Sequence, residues 1–483
     1  MPPFRALWPG SVSGGLVMTA PSRTVTGRQA SAGEADLVGH LMRRAAFGAR
    51  AEELEALAMR GYEAVVDDLV NPERLPPLAE DVIERFHSDQ ADDESTAWTA
   101  TRWIYHCINS SRPLEHKMAL FWHGLFATAV SKVTNNPMMR DQFAMLRDNG
   151  LGNFRTILQK LARDPAMIYW LDQQQNHSAA VNENWGRELL ELFSMGRGNY
   201  TEDDVKAAAR AFTGWTIDQT FPRYPSGYYD ARFIYRPEDH DESEKEFLGR
   251  RGNFNGDDII DIILEQPATA RYLALHLSKF FVADEPENAQ VEALARILVD
   301  TGYDIRASMR ALFLSEHFKG ARFKRVKCPA EHVIGTIRIA GRYSEPWEPG
   351  IDMLEDVMTR MGQQPLNPPT VEGWHPGREW IDSAFLIERV NFAAGILGDP
   401  AAPGVVAMAR RIASGRKKIE ARRLVEAVLY EMGSLSLPDA AKQQILENLE
   451  LVGDVSCAPA AGFAEVVARV SRTIATSPEF QLE

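Results

Sequence analysis

Along nearly the whole chain the apolar residues recur every three or four positions, the spacing of one helix face. Nowhere do β-branched residues alternate often enough to build a sheet. That periodicity predicts helices over 34–47, 51–60, 62–69, 95–108, 113–126, 201–212, 257–264, 268–281, 288–300 and 305–314. It predicts further helices over 330–340, 352–361, 422–430, 440–448 and 463–476. Gly48 and Gly61 stand where the first two should close. Thr201 is a cap candidate, with an acidic residue three positions on. The expected fold is all-α: a multi-helix globular bundle with long irregular loops and at most a small β-hairpin.

Residues 1 to about 33, rich in Gly, Ser, Thr, Pro and Ala, read as a disordered tail, with Met18 as an alternative start. The stretch GSVSGGLVM is too short and too broken by glycine for the core of an export signal, so a cytoplasmic location is expected. Residues 34–483 read as a single helical domain, or as two helical halves meeting near 217–256. That meeting point is irregular and aromatic, with Phe221, Tyr224, Tyr228, Tyr229, Phe233 and Tyr235 among Pro and Gly. A loop this long inside a compact domain is often functional, and FIY within it suits one strand of a hairpin. A second irregular segment, 363–383, holds Trp374 and Trp380 between prolines. It reads as a rigid loop anchored by at least one buried indole, the alternative being an aromatic platform for a sugar.

Charge and cysteines narrow the function. A net charge of −14 argues against a nucleic-acid partner. The one basic run, Arg410 to Arg423, lacks interleaved aromatics and reads as a solvated face. Cys107, Cys328 and Cys457 are widely spaced and odd in number, so no zinc knuckle or disulfide framework is indicated. No apolar run reaches about 18 residues, so no membrane-spanning helix is expected.

The segment VNENWGRELLELF, residues 181–193, carries the sharpest polar pattern. Asn184, Arg187, Glu188 and Glu191 share one stripe opposite Trp185, Leu189, Leu190 and Phe193. Glu188 and Glu191 lie one turn apart, as carboxylate metal ligands or acid–base pairs do in helical bundles. Arg210 follows on the next helix after a short turn and is expected to reach these carboxylates. The candidate catalytic set is therefore Glu188, Glu191, Arg187 and Arg210. His123 on a mostly apolar helix and His240-Asp241 in the long loop complete a candidate set for a divalent metal: His123, Glu188, Glu191, His240 and Asp241. Each has a plainer reading. E-x-x-E is commonly a solvated face, Arg187 can pair with Glu183 or Glu191, His123 can be a core histidine, and His240-Asp241 can be exposed. E-x-x-H on this helix, HExxH, GxxxxGK[ST] and GxSxG in a suitable setting are all absent, which disfavours those enzyme classes.

The order of motifs resembles a bacterial family known as domain of unknown function 1800. The resemblance runs through LMRRAAFG (41–48), KMALFWHGLFAT (117–128), NENWGRELLELFSMG followed by YTEDDVKAAARAFTGW, and HDESEKEFLG (240–249). It continues through KCPAEHVIGTIR (327–338), PPTVEGWHPGREWIDSA (368–384) and the closing SPEF. It implies a helical protein of unestablished biochemistry, often encoded beside a sulfatase-like protein and often exported. This chain departs from the pattern at Leu125, where relatives carry a second histidine, and in lacking a clear export signal. Two readings follow. One is a metal-assisted hydrolase with a carboxylate/histidine site. The other is a non-catalytic helical scaffold acting with a sulfatase-like partner.

Overall fold

The computed structural model describes residues 32–86, 97–218 and 231–483. The tail 1–31 and the loop aromatics Phe221, Tyr224, Tyr228 and Tyr229 lie outside the described residues. Among the described residues there are twenty-three α-helices, and the fold is mostly helical as the periodicity predicts. Several helices begin and end where the sequence places them, including Ala51–Arg60, Asn288–Asp300 and Ile305–Leu314. Thr201 caps Glu202–Ala211, its hydroxyl accepting from the Asp204 N–H while the Asp204 carboxylate accepts from the Thr201 N–H at 2.8 Å. The Ser-x-x-Phe turns at Ser315 and Ser477 are also caps, each hydroxyl accepting the N–H of the phenylalanine three residues on.

The strand content exceeds one hairpin. β1 (Trp215–Ile217) pairs with β2 (Phe233–Tyr235), β3 (Lys245–Phe247) with β4 (Arg250–Gly252), and β5 (Lys418–Glu420) with β6 (Asp454–Ser456), all antiparallel. Each strand has three residues, too few for alternation to register in a sequence window. The β3–β4 turn is Leu248-Gly249, both at positive φ, the geometry of a tight two-residue hairpin. The helices Asn136–Asn149, Phe154–Leu161 and Pro165–Trp170 were not expected. Their start signal is the cap: Asn135, Asn153 and Asp164 each accept a backbone N–H just inside the helix.

Burial divides into three apolar clusters. One joins the N-terminal helices to those ending near Phe318, a second surrounds Trp103 and Trp380, and a third is built from the C-terminal helices beyond Ala393. Residues on both sides of 217–256, such as Phe212 and Ile259, share the first cluster. All three cysteines are free and buried.

Between the clusters lies a buried ion network. Glu331, at the start of the Pro329–Ala340 helix, accepts from Lys117 and from Arg325 Nη1 at 2.7 and 2.8 Å, and also from the Cys328 N–H at 2.7 Å. Arg325 Nη1 also meets Glu483, which lies 3.5 Å from Arg44. Arg44 and Lys117 are fully buried, and Arg325, Glu331 and Glu483 nearly so. Burial would push the Glu331 carboxyl up, but Arg325 and Lys117 outweigh it and hold it well below the ordinary carboxylate range. The C-terminal segment is held beside Arg325 by backbone as well: Glu483 N donates to Arg325 O and Lys327 N to Gln481 O.

The Trp374 loop is seated on the Pro113–Leu125 helix by close backbone contact. Gly373 has a φ of 84°, and a Cβ there would collide with the Gly124 carbonyl, so glycine is needed twice over. Trp380 is 6% exposed and Trp374 half-buried, the anchoring expected of this loop. Truncating Trp380 to Ala should cost about 3–5 kcal/mol in urea unfolding; an unchanged midpoint would show that the indole does not anchor the loop.

Histidine burial sets the acid limit of the fold. His40, His116, His123 and His332 are buried. Burial lowers His40 to about 3 and His123 to about 4, and takes His116 and His332 well below 6.5. The unfolded chain takes up these protons below about pH 6.5, whereas the native state resists them down to about pH 4. Stability is therefore full above that window and falls with pH inside it, by up to about 1.4 kcal/mol per histidine per pH unit. Urea midpoints at pH 7.5 and 5.5 should fall at the lower pH; a midpoint that holds or rises would mean these rings are charged or wet in the native state.

Candidate functional site

The polar stripe of the Asn184–Glu191 helix leads to a well-formed cleft only indirectly. Gly186 lets this helix approach Glu202–Ala211 closely, since a Cβ would sit 2.9 Å from the Ala209 nitrogen. Arg187 faces along that seam, paired with Glu202 at 2.7 Å and with Glu183 at 3.2 Å. Arg210 does not reach the carboxylates. It pairs with Asp241 at 2.6 Å and also donates to Ser243, because the 240–244 segment folds back onto the end of its helix. His240 is buried there, its Nδ1 at 2.9 Å from the Thr213 carbonyl oxygen, so neither His240 nor Asp241 is free to close over a pocket.

The two glutamates have opposite environments. Burial would raise Glu191, but hydrogen bonds from Arg197 and from the Tyr200 hydroxyl, at 2.8 Å, hold it below its ordinary value. Glu188 is raised, by burial first and by Glu191 second, and its carboxylate has no hydrogen-bond partner among the described residues. Arg197 continues outward to Glu372 at 3.0 Å. Glu372 lines the cleft.

That cleft, of about 320 Å³, falls in the range of small-molecule sites. The Pro113–Leu125 helix supplies Phe121 and Leu125 to one wall. The Pro267–Phe281 helix supplies Tyr272, His276, Lys279 and Phe280, positions i, i+4, i+7 and i+8 of one face. Trp374 and Trp380 come from the glycine-seated loop, and Arg325 and Cys328 from the segment leading into the Pro329–Ala340 helix. His276 is neutral, brought down to about 4 by burial and by Lys279, with its ring 4.3 Å from that of Tyr272. The Tyr272 hydroxyl donates to Leu192 O at 2.5 Å, which ties the cleft wall to the end of the glutamate helix. Burial, with Glu191 and Glu372, pushes this phenol up, so it stays protonated.

Sequence reasoning named Trp374 and Trp380 as anchors but missed Tyr272, His276, Lys279 and Arg325. The signal was a short polar stripe, Y-x-x-x-H-x-x-K, on an otherwise apolar helix.

His123 lies beside the cleft rather than in it. Its ring sits 5.4 Å from Trp374 and 5.7 Å from Phe143, and both nitrogens are without partners. Among the described residues no group of three or more His, Cys, Asp or Glu is placed to hold a metal ion. His123, Glu188, Glu191, His240 and Asp241 are therefore distributed over separate environments rather than gathered into one ligand cage. A cation at Glu188 and Glu191 would have two protein carboxylates and would need water or substrate oxygen for the rest.

No described helix is long and apolar enough to cross a membrane. No curated protein and no solved structure matches the chain. The family model described as "Protein of unknown function (DUF1800)" matches residues 40–482, nearly the whole chain. The segments that build the cleft fall inside that match, as do all members of the buried ion network except Glu483, and the chain belongs to the DUF1800 family.

Proposed function

We propose that the protein binds a small organic molecule in the cleft between the Pro113–Leu125 helix, the Pro267–Phe281 helix and the tryptophan loop. The observation that carries this reading is the pairing of two aromatic walls. Phe121 and Phe280 stand on rigid helices, and Trp374 and Trp380 stand on a loop fixed by backbone contact, around a space of ligand size. Aromatic side chains supply large contact area at little loss of conformational freedom, and the few polar groups between them orient what is bound. The neutral apolar dye N-phenyl-1-naphthylamine is a direct probe. It should show saturable one-to-one binding, with a dissociation constant raised tenfold or more by Trp374→Ala and by Leu125→Gln and unchanged by Phe86→Ala, an exposed residue that does not line the cleft. Non-saturable binding, or equal affinity in all variants, would remove the cleft from consideration.

A hydrolytic role is the second reading, and Glu188 favours it. A half-buried carboxyl raised by its surroundings beside a carboxylate held low is the arrangement that separates an acid from a base. Glu188 is not a lining residue of the cleft; it lies one turn before the lining residue Leu192 and feels the charge of Glu372, another lining residue. The p-nitrophenyl esters of acetate, phosphate and sulfate provide a first panel. Turnover of any of them should drop about 10²–10⁴-fold in Glu188→Gln, with dye binding retained. Undiminished turnover in that variant, or none of the three turned over by the native chain, counts against the hydrolytic reading.

A further inference from the structure

The buried charged side chains beneath the cleft are mostly basic. Lys117, Arg325 and Arg44 are paired to two carboxylates, Glu331 and Glu483. Arg43, Lys327 and Arg389 are buried close by and have the same sign. A further carboxyl, Asp284, is half-buried within reach of the charges of Arg325 and Arg44 and accepts the Val326 N–H at 3.0 Å, so it belongs to the same cluster.

Arg325 is where this cluster meets the cleft. Its Nη1 is taken by Glu331 and Glu483, whereas Nε and Nη2 donate to no described group. The residue lines the cleft, with its guanidinium 4.8 Å from the centre of the Phe280 ring. An arginine held by carboxylates on one side and open on the other presents a fixed two-donor edge, the geometry that fits a planar or tetrahedral oxyanion. Lys279, exposed at the rim, adds a second positive charge and forms no ion pair with a described residue. The one acidic lining residue, Glu372, is engaged by Arg197 at 3.0 Å. His276 is neutral and adds no charge.

We infer that the ligand of this cleft is an organic anion. A carboxylate, phosphate or sulfate group sits against the open edge of Arg325 under Lys279, and an apolar body lies between Phe121, Phe280, Trp374 and Trp380. This rests on the binding reading of the cleft. It goes further in assigning the charge of the ligand and the residue that reads it.

Two dyes separate the two ideas. 8-Anilinonaphthalene-1-sulfonate is N-phenyl-1-naphthylamine with one sulfonate added, and the sulfonate makes it the less apolar of the pair. The native chain should bind the sulfonate at least tenfold more tightly. Lys279→Met and Arg325→Met should each raise its dissociation constant several-fold to tenfold and change that of the neutral dye far less. Should Arg325→Met fail to fold, two readouts remain: Lys279→Met, and competition by sodium sulfate at constant ionic strength, which should weaken only the anionic dye. Equal affinity for the two dyes, or variants and sulfate that weaken both alike, would overturn the anion assignment while leaving cleft binding intact. Saturable binding of neither dye would overturn both.

Discussion

The ion network around Glu331 is the constraint on which the rest of this fold depends. It joins four segments that are far apart in sequence: Arg44 on the Ala32–Ala45 helix, Lys117 on Pro113–Leu125, Arg325 with Glu331, and Glu483. Replacing buried ion pairs by well-packed apolar residues is often neutral, but removing one partner leaves a stranded charge at a cost of about 3–5 kcal/mol. The network therefore does more for register than for net stability. Each segment has one position at which its charge is compensated, and a slip of one turn would bury a charge alone. Glu331 also accepts the Cys328 N–H, so the same carboxylate fixes where the Pro329–Ala340 helix begins.

The cleft inherits its geometry from that network. Phe280 is shared between the two, since Lys117 and Arg325 both lie over its ring, at 5.7 and 4.8 Å. Stacking and ion pairing together hold the Arg325 guanidinium to one orientation, so its open edge is in place before any ligand arrives. The opposite wall is fixed by steric means instead, through the approach of Gly373 to the Gly124 carbonyl. A binding site assembled from two helices, one loop and a buried arginine loses little freedom on binding.

Much of this architecture was legible in the sequence, and what was missed has physical causes. Helices with a clear apolar stripe, such as Ile305–Leu314, were placed to the residue. Ser383–Leu397 was missed because Phe385, Leu386, Ile387, Val390, Phe392 and Ile396 spread around the whole helix and leave no polar face to set a period. The stripe of Glu188 and Glu191 was seen, and so was the pairing of Arg187 with Glu183. The expected contact from Arg210 was wrong because helix adjacency says nothing about which loop returns to cover a helix end, and here Asp241 does so. The buried network was invisible for a related reason. Arg44, Lys117, Glu331 and Glu483 read as ordinary charges on amphipathic segments, and only tertiary convergence makes them a unit.

Leu125 bears on what kind of cleft this is. The structure places it in the cleft wall with Phe121 of the same helix and residues of the Pro267–Phe281 helix. An imidazole at 125 would put a titratable group among the apolar side chains of that wall. Leucine keeps it dry, and among the cleft-lining residues His276 is then the one imidazole, held neutral by burial. A dry wall beside a cationic floor strengthens attraction to an anion, because field lines from Arg325 are not screened by water on that side. It also lowers the polarity that a metal centre or a general base would need at this wall. A contrasting pair of carboxyls lies off the cleft, on the Asn184–Glu191 helix, where Glu188 is raised and without a hydrogen-bond partner among the described residues and Glu191 is held low by Arg197 and Tyr200.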